Sequence, residues 1–155
     1  MQELRGDVCM KENWQNPEFR KKMGIAREIH KEKTIKAQLK GLFKRPTRIE
    51  QKYIELFKIY NVSLNYCGDG SLVIGFKNPD FVEANGKKLC VEVVNKNEKS
   101  VKRKGRKYYS WQEYEQQRIE HFEKYGWRCI VLWEDELKEP EKVIEKVKAF
   151  MLQPQ

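Results

Sequence analysis

Asp80 follows Asn78-Pro79 at the start of one β-rich run, and Glu92 lies among Val91, Val93 and Val94 in the next. A carboxylate inside an apolar strand is costly unless it is paired or binds a cation. Two such acids close together offer the hard oxygen donors that Mg²⁺ (or Mn²⁺) takes. A cation held there activates water and stabilises charge on a phosphate. Whether the two meet depends on the Asn85-Gly86 hairpin between them. A two-residue loop pairs position 80 with 91 and sends Glu92 to the opposite face. A three-residue loop, Asn85-Gly86-Lys87 with a glycine bulge, pairs 80 with 92 and puts both acids on one face. The alternative is that Glu92 points outward on an edge strand and pairs with Lys88 or Lys96. Glu50 is a third candidate acid, but the Thr47-x-x-Glu50 capping box already gives it a structural job.

The elements that must position these acids are legible from caps and periodicity. Asn16, Pro17 and Glu18 suit an N-cap, a first helical position and a first turn, so a helix starts there and runs through Lys40. Its apolar positions are few (Met23, Ile25, Ile29, Ile35, Leu39), which reads as a basic arm docking on DNA or on the body. Gly41 and Pro46 interrupt it. From Thr47, the positions Ile49, Tyr53, Leu56, Phe57 and Tyr60 fall on one helical face. Turn signals at CGDGS and EANGK then separate strands near 63–67, 71–76, 79–84 and 88–94. After a basic loop at 95–110, a helix runs from Trp111 to about Tyr125 and stops at Gly126. The run WRCIVLW at 127–133 has no alternation and fits a strand buried on both faces beside a parallel neighbour. Pro140 opens a last helix with Val143, Ile144, Val147, Phe150 and Met151 on one face. This order predicts an α/β (α+β) domain: a mixed sheet with helices on both faces at 47–155, preceded by the arm at 1–46.

The 155 residues are 39% hydrophobic and 35% charged, which excludes a disordered chain and supports one sizeable core. No apolar run approaches the roughly 18 residues of a membrane span. Nor does the N-terminus carry an apolar signal-like core. A cytoplasmic, reducing setting is the expectation, and Cys9, Cys67, Cys90 and Cys129 agree with it because they form no C-x-x-C pair. Cys90 and Cys129 sit in apolar runs and read as buried core residues. The net charge of +9 is concentrated: residues 1–46 carry 12 Lys+Arg against 6 Asp+Glu, and residues 96–107 carry 7 against one. Acidic polymers are the expected partner, with nucleic acid foremost; the plain alternative is a solvated surface. The candidate contacts are Arg20, Lys21, Lys22, Arg27, Lys44 and Arg45 on the arm. Lys99, Lys102, Arg103, Lys104, Arg106 and Lys107 supply the loop, followed by Tyr108, Tyr109 and Trp111, which stack or pack.

The string GDGSLVIGFKNPDFVEANGKKLCVEV, followed by RIEHFEKYGWRCIVLWEDEL, resembles nucleases related to the very-short-patch repair endonuclease. That group lies in the PD-(D/E)XK superfamily and includes homing-type enzymes. The likeness runs from about Arg45 to Phe150. WQNPEFRKKM also looks like the short DNA-binding repeats attached to homing nucleases. The resemblance implies a restriction-endonuclease-like core in which Asp80 is the metal-binding aspartate, Glu50 the helix acid and Glu92 the strand acid. It places a further acid near Glu115, with Arg118 one turn on as a further candidate DNA contact. Two departures stand out: no histidine follows the strand acid, and position 94 is Val where the superfamily has Lys. Lys96 shares a strand face with Glu92 by period two and is the candidate ammonium. His121 lies in the wrong element to act on the attacking water.

These observations together predict a Mg²⁺-dependent (or Mn²⁺-dependent) DNA endonuclease, homing-type or nicking. Asp80 and Glu92 would bind the metal, with Glu50, Lys96 and Glu115 assisting. A non-catalytic nucleic-acid-binding module on the same fold is the alternative, and a regulatory protein with an acidic partner is a second. The oligomeric state is open, with a homodimer among the options.

Overall fold

The computed structural model describes residues 15–41, 45–95 and 110–154. Helix α1 (Pro17–Gly41) leads to α2 (Arg48–Ile59), β1 (Leu64–Tyr66), β2 (Phe81–Glu83) and β3 (Leu89–Val94). Helix α3 (Trp111–Glu123), β4 (Arg128–Trp133), a 3₁₀ turn (Glu134–Lys138) and α4 (Pro140–Leu152) complete the order. The sheet order is β1-β2-β3-β4. The first three strands are antiparallel neighbours, and β4 runs parallel to β3. This mixed sheet with helices on both faces is the α/β architecture read from the sequence. Among the described residues, no helix is long and apolar enough to cross a membrane.

Strand parity divides the interior in two. Phe81, Val91 and Leu132 point to one face, where Tyr53, Leu56 and Phe57 of α2 and Val143, Ile144 and Val147 of α4 cover them. The opposite face presents Cys90, Cys129, Val94, Val131 and Trp133 to α3, which contributes Phe122 and Ile119. Each full apolar burial of this size contributes about 1.5–3 kcal/mol, so both layers are substantial. The caps read from sequence are present. Asn16 Oδ1 accepts from the amide of Glu18 at 2.9 Å, and Thr47 and Glu50 close their capping box; Ser110 with Glu113 closes a box on α3 that the sequence reading did not name. Cys67, Cys90 and Cys129 are buried free thiols. Burial foremost, with the charge of Asp80 adding to it, pushes the Cys67 thiol up to about 12. Helix α1 lies outside both core layers, with Ile25 and Ile29 about half exposed. Lys31 Nζ sits 4.3 Å from the centre of the Phe76 ring, which ties the arm to the body.

One expected strand is not formed. Residues 71–76 make turns around a single bridge between Ile74 and Lys77. Gly75 adopts φ +63, and a Cβ there would lie 2.5 Å from the Tyr125 ring, so the chain folds tightly against α3 at a position only glycine suits. Side chains replace the missing ladder. Asn78 Nδ2 donates to the carbonyls of Cys67 and Leu72, each at 2.6 Å, and His121 Nε2 lies 3.1 Å from the carbonyl of Ile74. The Asp69 side chain accepts from the amide of Ser71 at 2.9 Å. Two buried-side carbonyls therefore depend on one amide. Asn78→Ala is expected to cost about 1–3 kcal/mol, seen as a lower urea midpoint with an unchanged slope; a midpoint equal to wild type would contradict this account of the loop.

Candidate active site

The β2–β3 hairpin decides where the acids stand. Phe81 pairs with Val91 and Val82 with Cys90. That register sets position 80 opposite 92, which is the outcome of the three-residue Asn85-Gly86-Lys87 loop. Gly86 takes φ 89, as a glycine bulge requires. The buried Glu83 side chain holds the turn from inside. It accepts from the amide of Asn85 at 2.7 Å, from Asn85 Nδ2 at 2.8 Å and from the amide of Lys87 at 3.1 Å. Burial pushes this carboxyl up, but those donors outweigh it and hold the group below its ordinary value.

Asp80 and Glu92 consequently share the face that looks toward α3. Glu92 is 3% exposed. Asp80 is locked from both ends: its carbonyl accepts from the amide of Cys67 at 2.8 Å, and its Oδ2 accepts from the amide of Val93 at 2.7 Å. Burial first, and then the charge of Glu92, raise the Asp80 carboxyl well above the usual aspartate range. The Val93 amide and Arg118 pull it down, while Glu50 adds to the rise. Arg118, on α3, brings a cation to the pair, with Nη1 3.5 Å from Glu92 Oε2. Its Nε donates to the Tyr114 hydroxyl at 3.1 Å, and its guanidinium lies over the Tyr114 ring at 5.4 Å. Burial opposes the Arg118 charge, but Glu92, Tyr114 and Asp80 outweigh that and raise its pKa. The sequence reading puts Arg118 on DNA; in the fold its guanidinium leans on Glu92.

The other nominated residues fall in different places. Glu50 caps α2, its Oε2 accepting from the amide of Thr47 at 2.7 Å, and its charge also bears on Asp80. Glu115 accepts from the indole Nε1 of Trp133 at 3.0 Å, a tie between α3 and β4. Trp111 opens α3 and stands edge-on to Trp133 at 5.6 Å. Arg20, Lys21, Lys22 and Arg27 lie exposed on α1, and Arg45 is exposed before α2. Lys44, Lys96, Lys99, Lys102, Arg103, Lys104, Arg106, Lys107, Tyr108 and Tyr109 lie outside the described residues. His121 packs with Phe76, Phe122 and Tyr125, and burial lowers its pKa. Sequence reasoning missed Tyr114, although its position one turn before Arg118 was a usable signal. It also missed Tyr66, whose hydroxyl reaches Glu50 across the fold.

Among the described residues, no group of three or more His, Cys, Asp or Glu side chains is arranged to hold a metal ion. The acid pair stands apart from an open cleft of about 490 Å³ lined by Lys52, Asn95, Glu134, Asp135, Leu137 and Lys138. None of the residues lining that cleft is buried, in contrast to Glu92.

No protein-family model matches the chain, and no curated protein matches it. Among solved structures, it is similar to a homing endonuclease I-Bth0305I catalytic domain, at 22% identity and a TM-score of 0.45. The match covers 67% of this chain and 93% of that one. A likeness that distant adds nothing to the geometry above.

The raised Asp80 carboxyl has a direct thermodynamic consequence. Its ionised form is disfavoured in the fold, so the penalty is absent below the ordinary carboxylate range and grows as pH rises toward the folded value. Asp80→Asn keeps an acceptor for the Val93 amide and removes the charge. In EDTA, this variant is expected to be more stable than wild type to urea at pH 7, with the advantage shrinking toward about pH 4. A variant less stable at both pH values would contradict the charge-burial account.

Proposed function

We propose that this chain is a metal-dependent DNA endonuclease of the very-short-patch-repair-like kind, cutting phosphodiester bonds as a nicking or homing-type enzyme. The observation that carries the reading is the hairpin register that sets the half-buried Asp80 opposite the buried Glu92. Two carboxylates under mutual repulsion, with the Arg118 guanidinium on the Glu92 side, fit a Mg²⁺ or Mn²⁺ ion. Mg²⁺ is commonly bound through one or two carboxylates, its remaining positions going to water and substrate phosphate. Asp80 and Glu92 would hold the ion, which when bound supplies a water of lowered pKa and neutralises charge on the phosphate.

The chain's own groups do the rest. Asp80 is fixed by two backbone bonds, so its carboxylate is preorganised. Arg118 has guanidinium donors beyond those turned to Glu92 and Tyr114, and these suit a phosphate oxygen at the same face. Lys96, which lies outside the described residues, is the sequence's candidate for a second cation. Glu50 adds its negative charge from the α2 side of the sheet, and Glu115 acts at a distance by fixing α3 against Trp133. The exposed basic face of α1 grips the DNA backbone, and the basic charge of residues 96–107 adds to the attraction. At 25 residues, α1 is about 37 Å long, enough to follow roughly one turn of duplex.

Relaxation of supercoiled plasmid tests the reading. Mg²⁺ or Mn²⁺ is expected to support nicking, EDTA to stop it, and Asp80→Asn or Glu92→Gln to lower the rate by about 100-fold or more. Nicking unchanged in Asp80→Asn would sink the site. Tight, salt-sensitive binding with no cleavage would favour the non-catalytic module instead. The arm has its own readout: replacing Arg20, Lys21, Lys22 and Arg27 with Gln should weaken DNA binding. It should also flatten the salt dependence, by about 0.9 in slope for each phosphate no longer neutralised. An unchanged slope would remove α1 from the interface.

A further inference from the structure

Tyr114 lies one turn before Arg118 on α3 and shares its helix face. Its hydroxyl accepts from Arg118 Nε at 3.1 Å, and the guanidinium carbon stands 5.4 Å from the centre of its ring. The ring is held by two indoles. Trp111 stands edge-on to it at 6.5 Å, and Trp133 is tilted against it at 6.3 Å. This aromatic group packs on Val94 and Val131. Val131 is the register partner of Glu92 on β4, and Trp133 is that of Val94. Val94 is two residues beyond Glu92, so by strand parity all four share the face under α3. The Glu115 carboxylate accepts from the Trp133 indole at 3.0 Å and fixes the same turn of α3 against β4. Tyr114 is therefore a braced post on the face that carries Glu92.

Glu92 alone does not set the direction of the guanidinium. Arg118 Nη1 stands 3.5 Å from Glu92 Oε2, beyond the roughly 2.7–2.9 Å of a charge-assisted hydrogen bond. The Nε bond to Tyr114 is the shorter contact, and it occupies the donor nearest the stem. A guanidinium is planar, so a bond at Nε restricts where both Nη groups point. The Arg118 side chain keeps 28% exposure, which leaves it open to a ligand arriving from solvent. We infer that Tyr114 is a positioning residue for the endonuclease site: its hydroxyl and ring hold the Arg118 guanidinium with its Nη edge toward Glu92, ready for a substrate phosphate. The inference rests on the endonuclease reading. Tyr114 touches no substrate in this scheme and acts through Arg118.

Tyr114→Phe removes the hydroxyl and leaves the ring against Trp111 and Trp133. NMR of the arginine Nε–H groups, thermal unfolding and steady-state plasmid nicking are measured on the full chain. Tyr114→Phe is expected to unfold within a few degrees of wild type. The Arg118 Nε–H, held by the phenol in wild type, is expected to exchange with solvent at least about tenfold faster in the variant. Nicking should lose about tenfold or more in kcat with KM for DNA unchanged, because the guanidinium is misdirected rather than absent. In an Arg118→Lys background, Tyr114→Phe should have no further effect on kcat, because the fork it directs is gone. An unchanged Nε–H exchange rate or wild-type kcat in Tyr114→Phe would overturn the inference while leaving the nuclease intact, as would an equal additional loss in the Arg118→Lys background. A wild-type chain that does not nick DNA would overturn the endonuclease reading and this inference with it.

Discussion

The bonds that Glu83 accepts from the Asn85–Lys87 turn fix the register of the β2–β3 hairpin, and that register sets everything around the site. A slip of one residue would turn Glu92 into the apolar layer under α2 and α4 and carry Val91 out of it. The sheet would then lose Val91 from a core that also holds Phe81 and Leu132. Register, core and acid pair are thus specified together. Glu83 suits this role because its charge is satisfied locally by three donors, so one buried carboxylate fixes two others.

The two faces of the sheet divide the work. The face under α2 and α4 is apolar and aromatic, and the buried Tyr53 hydroxyl there donates to the Trp133 carbonyl at 2.7 Å. The face under α3 mixes apolar packing with the carboxylates and Arg118. Repulsion between Asp80 and Glu92 opposes folding, and the partly buried Arg118 guanidinium offsets only part of it. In the proposed reading, a cation held at the pair would relieve the same repulsion that the fold carries. The thermodynamics of the fold and the proposed chemistry therefore have one source.

Much of the scaffold was legible because its signals are local. Asn16-Pro17, the Thr47–Glu50 box and Pro140 each announce a helix start within four residues. The unbroken run WRCIVLW announces a strand covered on both faces. The 71–76 segment misled because SLVIGF has the composition of a strand, while the groups that satisfy its backbone, Asn78 and His121, lie outside it. The hairpin was legible only down to two loop lengths, since the deciding bonds come from the Glu83 side chain. Pairings that close the site span long separations: Tyr66 to Glu50, Arg118 to Glu92, Glu115 to Trp133. Spacing can nominate such residues but cannot say which of them meet. Glu115 shows the difference, for the family resemblance suggests a site acid and its partner is an indole.

The central claim is that Asp80 and Glu92 form a divalent-cation site. Anomalous diffraction from crystals soaked in Mn²⁺ tests it most directly. The account predicts one strong peak at the Asp80 and Glu92 carboxylates, and its loss in Asp80→Asn. Mn²⁺ bound elsewhere on the chain, with no density between these two carboxylates, would contradict it.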